Sequence, residues 1–584
     1  MIPRVTVQFG SQEITGLRKT HAVLMPDDDS AKAVKFRKRN AGKTFERCEF
    51  RGIPFCTSIV ADGWWSTPEA LTELPSSPFD ATSSRRIALQ TTGPSVPTTV
   101  GWRASDIVGA GVLEWDERGV IEHQDSALLD ISTDKPAIGA NKPVTVNIHG
   151  GGNTENARIF PRFEGAYAIG RVYVTVEWPL STQGFFTHPA LGEDHQINQA
   201  YDVVIKALEW VQLHISNFGG DPNNVTLGGT SAGGQMATLL MPMGGTLFHR
   251  VISHSGGDTA GRPSRAYCEE LGKSFWHTLI KGKPAFFDPT RTIAEIAEQD
   301  GIAAALRLGP SPEQILAFKN QRKVWSVSDG VLVAEQVGPL NIWPANDGVI
   351  VQNRTAPAEI AADRWPTSVA YMSTWVANEA SLINEARYDE NADDYFRRVG
   401  ITTDEEIATA TALISPDGDD LERLAYGLCV FGYGANRLPR DFAAKGGTAY
   451  ELYFKYDSLG NGKRLTGHAN QQVWFNGRPD WQVAQGESAE SLRLQFSDLV
   501  LSAYLQSSIR HFMSTGDPNG PVLDDLDLFE PSDFDTFEPF AAMGPDRITN
   551  IVENNLFDNE RPAVRQAPNH LSGIWDYFDS TYSI

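Results

Sequence analysis

The stretch Asn224–Gln235, NVTLGGTSAGGQ, decides how the rest of the chain is read. Asn224–Leu227 predicts a short strand, and Gln235–Met241 predicts a helix. Between them, Gly228 to Gly234 (GGTSAGG) contains G-x-S-x-G. A serine on a sharp strand-to-helix turn is thrust out at the C-terminal end of its strand. Gly229 and Gly233 are required there because side chains would collide with the strand and helix packed on either side. The following helix N-terminus lends partial positive charge to an oxyanion developing beside Ser231. A bare G-x-S-x-G is a weak signal in a glycine-rich chain. The strand–motif–helix context makes Ser231 a candidate nucleophile.

Upstream, Val144–His149 (VTVNIH) reads as a buried strand ending directly in Gly150, Gly151 and Gly152. Consecutive glycines leave amide N–H groups bare enough to approach a substrate oxygen, so this loop is a candidate oxyanion hole. Arg171–Trp178 predicts another buried strand. Ile197, Tyr201, Val204, Leu208, Val211 and Ile215 share one helical face. That helix stops at Gly219-Gly220, and Asp221-Pro222 turns the chain into the motif strand. Further strands are predicted at Arg250–His254, Thr367–Met372 and Ala449–Tyr456, with one at Val5–Phe9. The charged stretch Asp27–Arg39 reads as surface. Alternating strands and helices from Cys48 onward predict an α/β fold around a mainly parallel sheet.

The chain has 584 residues and a formal net charge of −23. That acidity argues against nucleic acid and against anionic membranes as partners. Met1–Gly16 has no apolar core of a secretory signal, and no run approaches the length of a spanning helix. The C-terminus carries no lipidation or retention signal. Triplets at Asn224 and Asn353 fit N-glycosylation but carry little weight without secretion. Four cysteines are too few for a disulfide scaffold, so a reducing, cytoplasmic setting is expected. No H-E-x-x-H or paired C-x-x-C motif occurs, so no metal and no cofactor is expected.

Beyond the two glycine motifs, an ordered string resembles the type-B carboxylesterase/cholinesterase family. Phe50–Phe55 (FRGIPF) resembles its early G-I-P-Y segment, and Ala207–Val211 with Phe218–Leu227 its approach to the serine. Val251–Gly256 (VISHSG) is similar to its A-I-x-Q-S-G strand, and Pro344–Gly348 (PANDG) to P-V-x-D-G. Phe512–Asn519 (FMSTGDPN) is similar to F-x-x-T-G-D-P-N. The resemblance implies the α/β-hydrolase fold: a large, mostly parallel central sheet flanked by helices, with helical insertions over the active site. It implies one catalytic domain over 46–584, with 1–45 as an N-terminal extension packed on it.

It also implies the remaining site residues. The family acid lies in a motif ending D-E-G-S, which Asn378–Ser381 (NEAS) matches, making Glu379 the acid; Glu385 is a competitor. The family histidine lies in H-G-x-E before an aromatic run ending in glycine. His468–Gln471 (HANQ) and Val473–Gly477 fit that frame. His149 belongs to the glycine loop and His254 to a buried strand, so His468 is the expected base. The oxyanion would be received by the N–H groups of Gly151, Gly152 and Ala232. Ser255 supports the acid or is a plain strand-end serine. Implied partners are a small-molecule ester and, for assembly, a monomer or homodimer.

Several positions depart from the family pattern. Thr230 replaces the acidic residue before the nucleophile, which argues for a neutral ester over a cationic alcohol, and Asn153 stands where an aromatic often follows HGGG. These two are the expected pocket-wall positions. Val203-Val204 replaces a D-Q pair, Gln471 replaces a glutamate, and Cys48, Cys56, Cys268 and Cys429 read as free core thiols. The expected activity is serine carboxylic-ester hydrolysis. Alternatives are a lactonase, thioesterase or acyl-transferase with the same triad, or a non-catalytic cholinesterase-like binding module.

Overall fold

The computed structural model describes residues 3–568 apart from 83–85, 90–120, 155, 159–169, 258–260, 280, 318–321, 329–330, 338–343, 354, 383–390, 416–420, 457–466, 469–470, 476–493, 544–547 and 556–557. Apolar, β-branched runs make the central strands of its main sheet, and more polar runs make strands toward its edges. These are β1 (Arg4–Phe9), β2 (Gln12–Ala22), β3 (Thr44–Pro54), β4 (Leu128–Thr133), β5 (Lys142–Ile148) and β6 (Val172–Val176). They continue as β7 (Gly220–Thr230), β8 (Arg250–His254), β9 (Ala370–Val376), β10 (Ala449–Phe454), β11 (Ile548–Asn555) and β12 (Asp558–Pro568). In space the order is β1-β2-β3-β4-β6-β5-β7-β8-β9-β10-β11-β12. Pairing is parallel from β6 through β11 and antiparallel at both flanks.

The parallel strands are buried on both faces, as sheets with helices on either side must be. Val146, Val174, Leu227 and Val251 join one core with Val204, Leu208 and Val211 of the helix α2 (Gln199–His214). Each such side chain contributes about 1.5–3 kcal/mol by leaving water. The expected helical face of Ile197–Ile215 is therefore the one that packs.

Two expectations change. The strand expected at Thr367–Met372 runs over Ala370–Val376. Its second half contains the polar pair Ser373-Thr374, both buried, and Thr374 Oγ1 lies 2.8 Å from His254 Nδ1. The charged stretch Asp27–Arg39 is not merely surface. It contains a helix, α1 (Ala31–Asn40), whose buried Ala33 and Phe36 share a core with Phe496 and Leu499. Its charged face pairs Lys32 with Asp533 and Arg39 with Asp527.

Long insertions leave the C-terminal ends of β8 and β9. Between β8 and β9 lie helices such as Arg265–Thr278 and Ile293–Gln299. Between β9 and β10 lie Ala392–Arg398, Asp404–Ile414 and a π-helical turn, Gly427–Gly432. Both begin at the edge where the motif serine emerges. Among the described residues no helix is long and apolar enough to cross a membrane.

Candidate active site

Register brings the two glycine motifs together. Gly229 of β7 pairs with Ile148 of β5, and Thr230 pairs with His254 of β8. Ser231 and Gly150 therefore leave adjacent strands at one edge. Ser231 has φ 56° and ψ −124°, a conformation that costs a non-glycine residue about 1–3 kcal/mol. Its N–H donates to His254 O at 2.8 Å, and its carbonyl accepts from Gln235 N at 2.9 Å, so the turn is held from both sides. Helix α3 (Ala232–Leu239) starts immediately after it.

Close packing explains the motif glycines. A Cβ on Gly229 would lie 2.3 Å from Gly233 C, and one on Gly233 would lie 2.2 Å from Ile148 O. A Cβ on Gly150 would sit 2.9 Å from Ser231 Cβ, so the glycine loop runs directly beside the serine. Ala232 is the first residue of α3, where N–H groups have no intrahelical acceptor.

The loop is braced from behind. His149 stacks on Trp178 with ring centroids 5.1 Å apart, and its Nδ1 lies 2.9 Å from Gly150 O. Fully buried Arg158 donates to Asp130 Oδ1 at 3.0 Å and to Glu177 Oε2 at 3.1 Å. His149 Nε2 lies 3.5 Å from the other Glu177 oxygen. Nothing in the local sequence marks Arg158, because its partners come from β4 and the end of β6.

Glu379 and His468 meet. The bridge between Asn378 and Gly467 lays their two segments side by side. Buried Glu379 accepts from His468 Nδ1 at 2.5 Å through Oε2. Its Oε1 accepts from Ser255 Oγ at 2.8 Å and from Val376 N at 2.9 Å. Three donors on one carboxylate fix its plane. Phe431, from the π-helical turn, packs on the His468 ring at 4.5 Å. The competitor Glu385 lies outside the described residues.

The departures from the family pattern also find partners. Thr230 Oγ1 donates to Gln472 Oε1 at 2.6 Å, and Gln472 Nε2 donates to Asn147 Oδ1 at 2.8 Å. Thr230 thus ties the motif strand to the helix α4 (Gln471–Phe475), and it is buried. Asn153, also buried, has φ 64°, and its carbonyl accepts from Ser181 N at 2.7 Å. His254 is wholly buried, which pushes its pKa down to about 3, and its Nδ1 lies 2.8 Å from Thr374 Oγ1. Cys48, Cys56, Cys268 and Cys429 are free and buried.

With the fold and these contacts in view, the class is clear: the chain belongs to the carboxylesterase family and has its α/β-hydrolase fold. The model of the Carboxylesterase family matches residues 36–414, which takes in Ser231 and Glu379 but ends before His468. Carboxylesterase 3 of Pongo abelii is 37% identical over 161 residues, covering 27% of this chain and 28% of that protein. Fumonisin B1 esterase of Sphingopyxis macrogoltabida is 28% identical over 269 residues, covering 44% and 46%. Liver carboxylesterase 1 of Oryctolagus cuniculus is 42% identical over 118 residues, covering 20% of each. The chain thus spans from a fifth to just under half the length of these relatives.

Proposed function

We propose that this chain is a serine hydrolase of carboxylic esters that works through an acyl-enzyme. The observation that carries the reading is the His468–Glu379–Ser255 contact chain, formed at the sheet edge where Ser231 emerges in its strained conformation. Ser231 Oγ becomes a competent nucleophile when His468 Nε2 takes its proton. Glu379 keeps the proton of neutral His468 on Nδ1, so that Nε2 is the accepting nitrogen, and stabilises the imidazolium that follows. Attack on the ester carbonyl forms a tetrahedral oxyanion, received by the N–H groups of Gly151, Gly152 and Ala232. One such donor is worth about 2.7–4 kcal/mol in the transition state. His468 then protonates the leaving alcohol. Water, deprotonated by the same imidazole, releases the acid and restores Ser231.

A neutral ester of small to medium size fits best, because uncharged Thr230 occupies the position of the family's acid. The catalytic domain in this reading is 46–584. Residues 1–45 extend it, with β2 pairing on β3 of the same sheet. Four buried thiols, none in a disulfide, support a cytoplasmic setting.

Nitrophenyl esters of increasing acyl length test the reading on wild type and Ser231→Ala. Turnover by wild type with loss of at least about a thousandfold in the variant is expected. A variant that keeps wild-type turnover rules the mechanism out.

A further inference from the structure

One buried side chain joins the segments that carry the base, the nucleophile and the oxyanion loop. Gln472 is the second residue of α4, the helix that follows His468. Its Oε1 accepts from Thr230 Oγ1 at 2.6 Å, and Thr230 directly precedes Ser231. Its Nε2 donates to Asn147 Oδ1 at 2.8 Å, and Asn147 lies on β5, whose end opens into the Gly150–Gly152 loop. Gly228 of β7 pairs with Asn147, so Asn147 and Thr230 share one face of the sheet. Thr230, Asn147 and Gln472 are all buried. Replacing both partners of a buried hydrogen bond by apolar groups of similar shape is nearly neutral for stability. Folding alone therefore does not call for this polar chain.

We propose that Gln472 is a positioning residue that sets the reach between Ser231 and His468, by pinning the helix after the histidine to the strand before the serine. This rests on the triad reading above. Proton transfer needs His468 Nε2 within hydrogen-bond reach of Ser231 Oγ. A misplacement of about 1 Å costs about a hundredfold in rate. Before the histidine, the bridge of Gly467 to Asn378 holds its segment beside the acid. After it, the Gln472 amide refers the same segment to Thr230, one residue from the nucleophile, and to Asn147 on the neighbouring strand. Thr230 stands where the family pattern has an acid, so this hydroxyl–amide contact is not one that the pattern supplies. Other contacts keep α4 attached when this one is cut. Gln471 Nε2 donates to Ser255 Oγ at 2.6 Å, and Trp474 O accepts from Ser502 Oγ at 2.7 Å. Loss of the Gln472 contact therefore shifts the base rather than freeing the helix.

The test is titration with a nitrophenyl phosphate triester. Ser231 Oγ displaces nitrophenolate from phosphorus and its proton passes to His468, so the final release counts working sites and the time course gives the rate per site. Wild type is compared with Thr230→Val, Thr230→Ser, Gln472→Met and the double variant Thr230→Val/Gln472→Met. Thr230→Val and Gln472→Met are each expected to release one nitrophenolate per chain, as wild type does, but about tenfold more slowly, the low end for groups that orient a working residue. Thr230→Ser keeps the hydroxyl and is expected to recover most of the wild-type rate. The double variant should be no slower than the worse single one, because both changes remove the same contact. A merely structural role would lower the number of working sites and leave the rate per site unchanged, and that outcome overturns the proposal. Thr230→Ser as slow as Thr230→Val, or losses that multiply in the double variant, overturn it too. Should Gln472→Met fail to fold, the two Thr230 variants decide alone. Failure of the triad reading itself shows separately, as ester turnover retained by Ser231→Ala.

Discussion

Replacing Glu379 with glutamine keeps the shape of the acid but not its acceptor pattern. Three donors converge on the carboxylate: His468 Nδ1 at 2.5 Å, Ser255 Oγ at 2.8 Å and Val376 N at 2.9 Å. A glutamine has one oxygen and one NH2, so one side of this arrangement must face donor to donor. Val376 N–H cannot turn, and Ser255 is already receiving from Gln471. The amide oxygen therefore takes the Oε1 place and the NH2 group faces His468 Nδ1. Nδ1 must then accept, which moves the imidazole proton to Nε2, where Ser231 needs a base. The wrong tautomer costs about four orders of magnitude in kcat, or about 5.4 kcal/mol of transition-state stabilisation. Single-turnover kinetics with an activated ester read this directly. The expected result is a near-total loss of the acylation rate with KM and thermal stability close to wild type. Acylation within tenfold of wild type would refute the reasoning.

Two further outcomes follow from packing and ionisation. Gly233→Ala puts a Cβ 2.2 Å from Ile148 O and 2.6 Å from His149 O, both backbone atoms. A loss of about 3 kcal/mol or more is expected in denaturant unfolding, and an unchanged midpoint would deny the close approach. Asp202 on α2 is lifted to about 6 by burial, against the opposing pull of Lys206. The unfolded chain therefore releases this proton more readily than the folded one, and stability from it is lost as pH rises from about 4 through 6. Asp202→Asn should accordingly raise Tm little at pH 4 and most above pH 7. A gain that is constant across that range contradicts the assignment.

What the sequence made legible was local chemistry. The turn at Ser231 could be read because strand, glycines and helix are contiguous, and their interlock is a contact between residues a few positions apart. The parallel core followed from its unbroken apolar runs. Long-range pairings stayed hidden. Helix α1 looks like a charged surface stretch because only Ala33, Phe36 and Asn40 are buried, and the apolar partners of the first two, Phe496 and Leu499, come from the far end of the chain. Strand β9 runs further than expected because Ser373 and Thr374 are polar residues that are nonetheless buried, which breaks the apolar run read from the sequence. Gln471 was visible only as a departure from a pattern. Its partners, Ser255 and Thr374, arrive from two other strand ends, and no local rule links them.

The central claim is that Ser231 carries the acyl group. Peptide mass mapping after reaction with an organophosphate ester tests it most directly, since such a reagent traps the serine as a stable adduct. One adduct per chain, on the peptide containing Ser231 and absent from His468→Ala, is the predicted result. An adduct on another residue, or full ester turnover by protein whose Ser231 is blocked, would contradict the account.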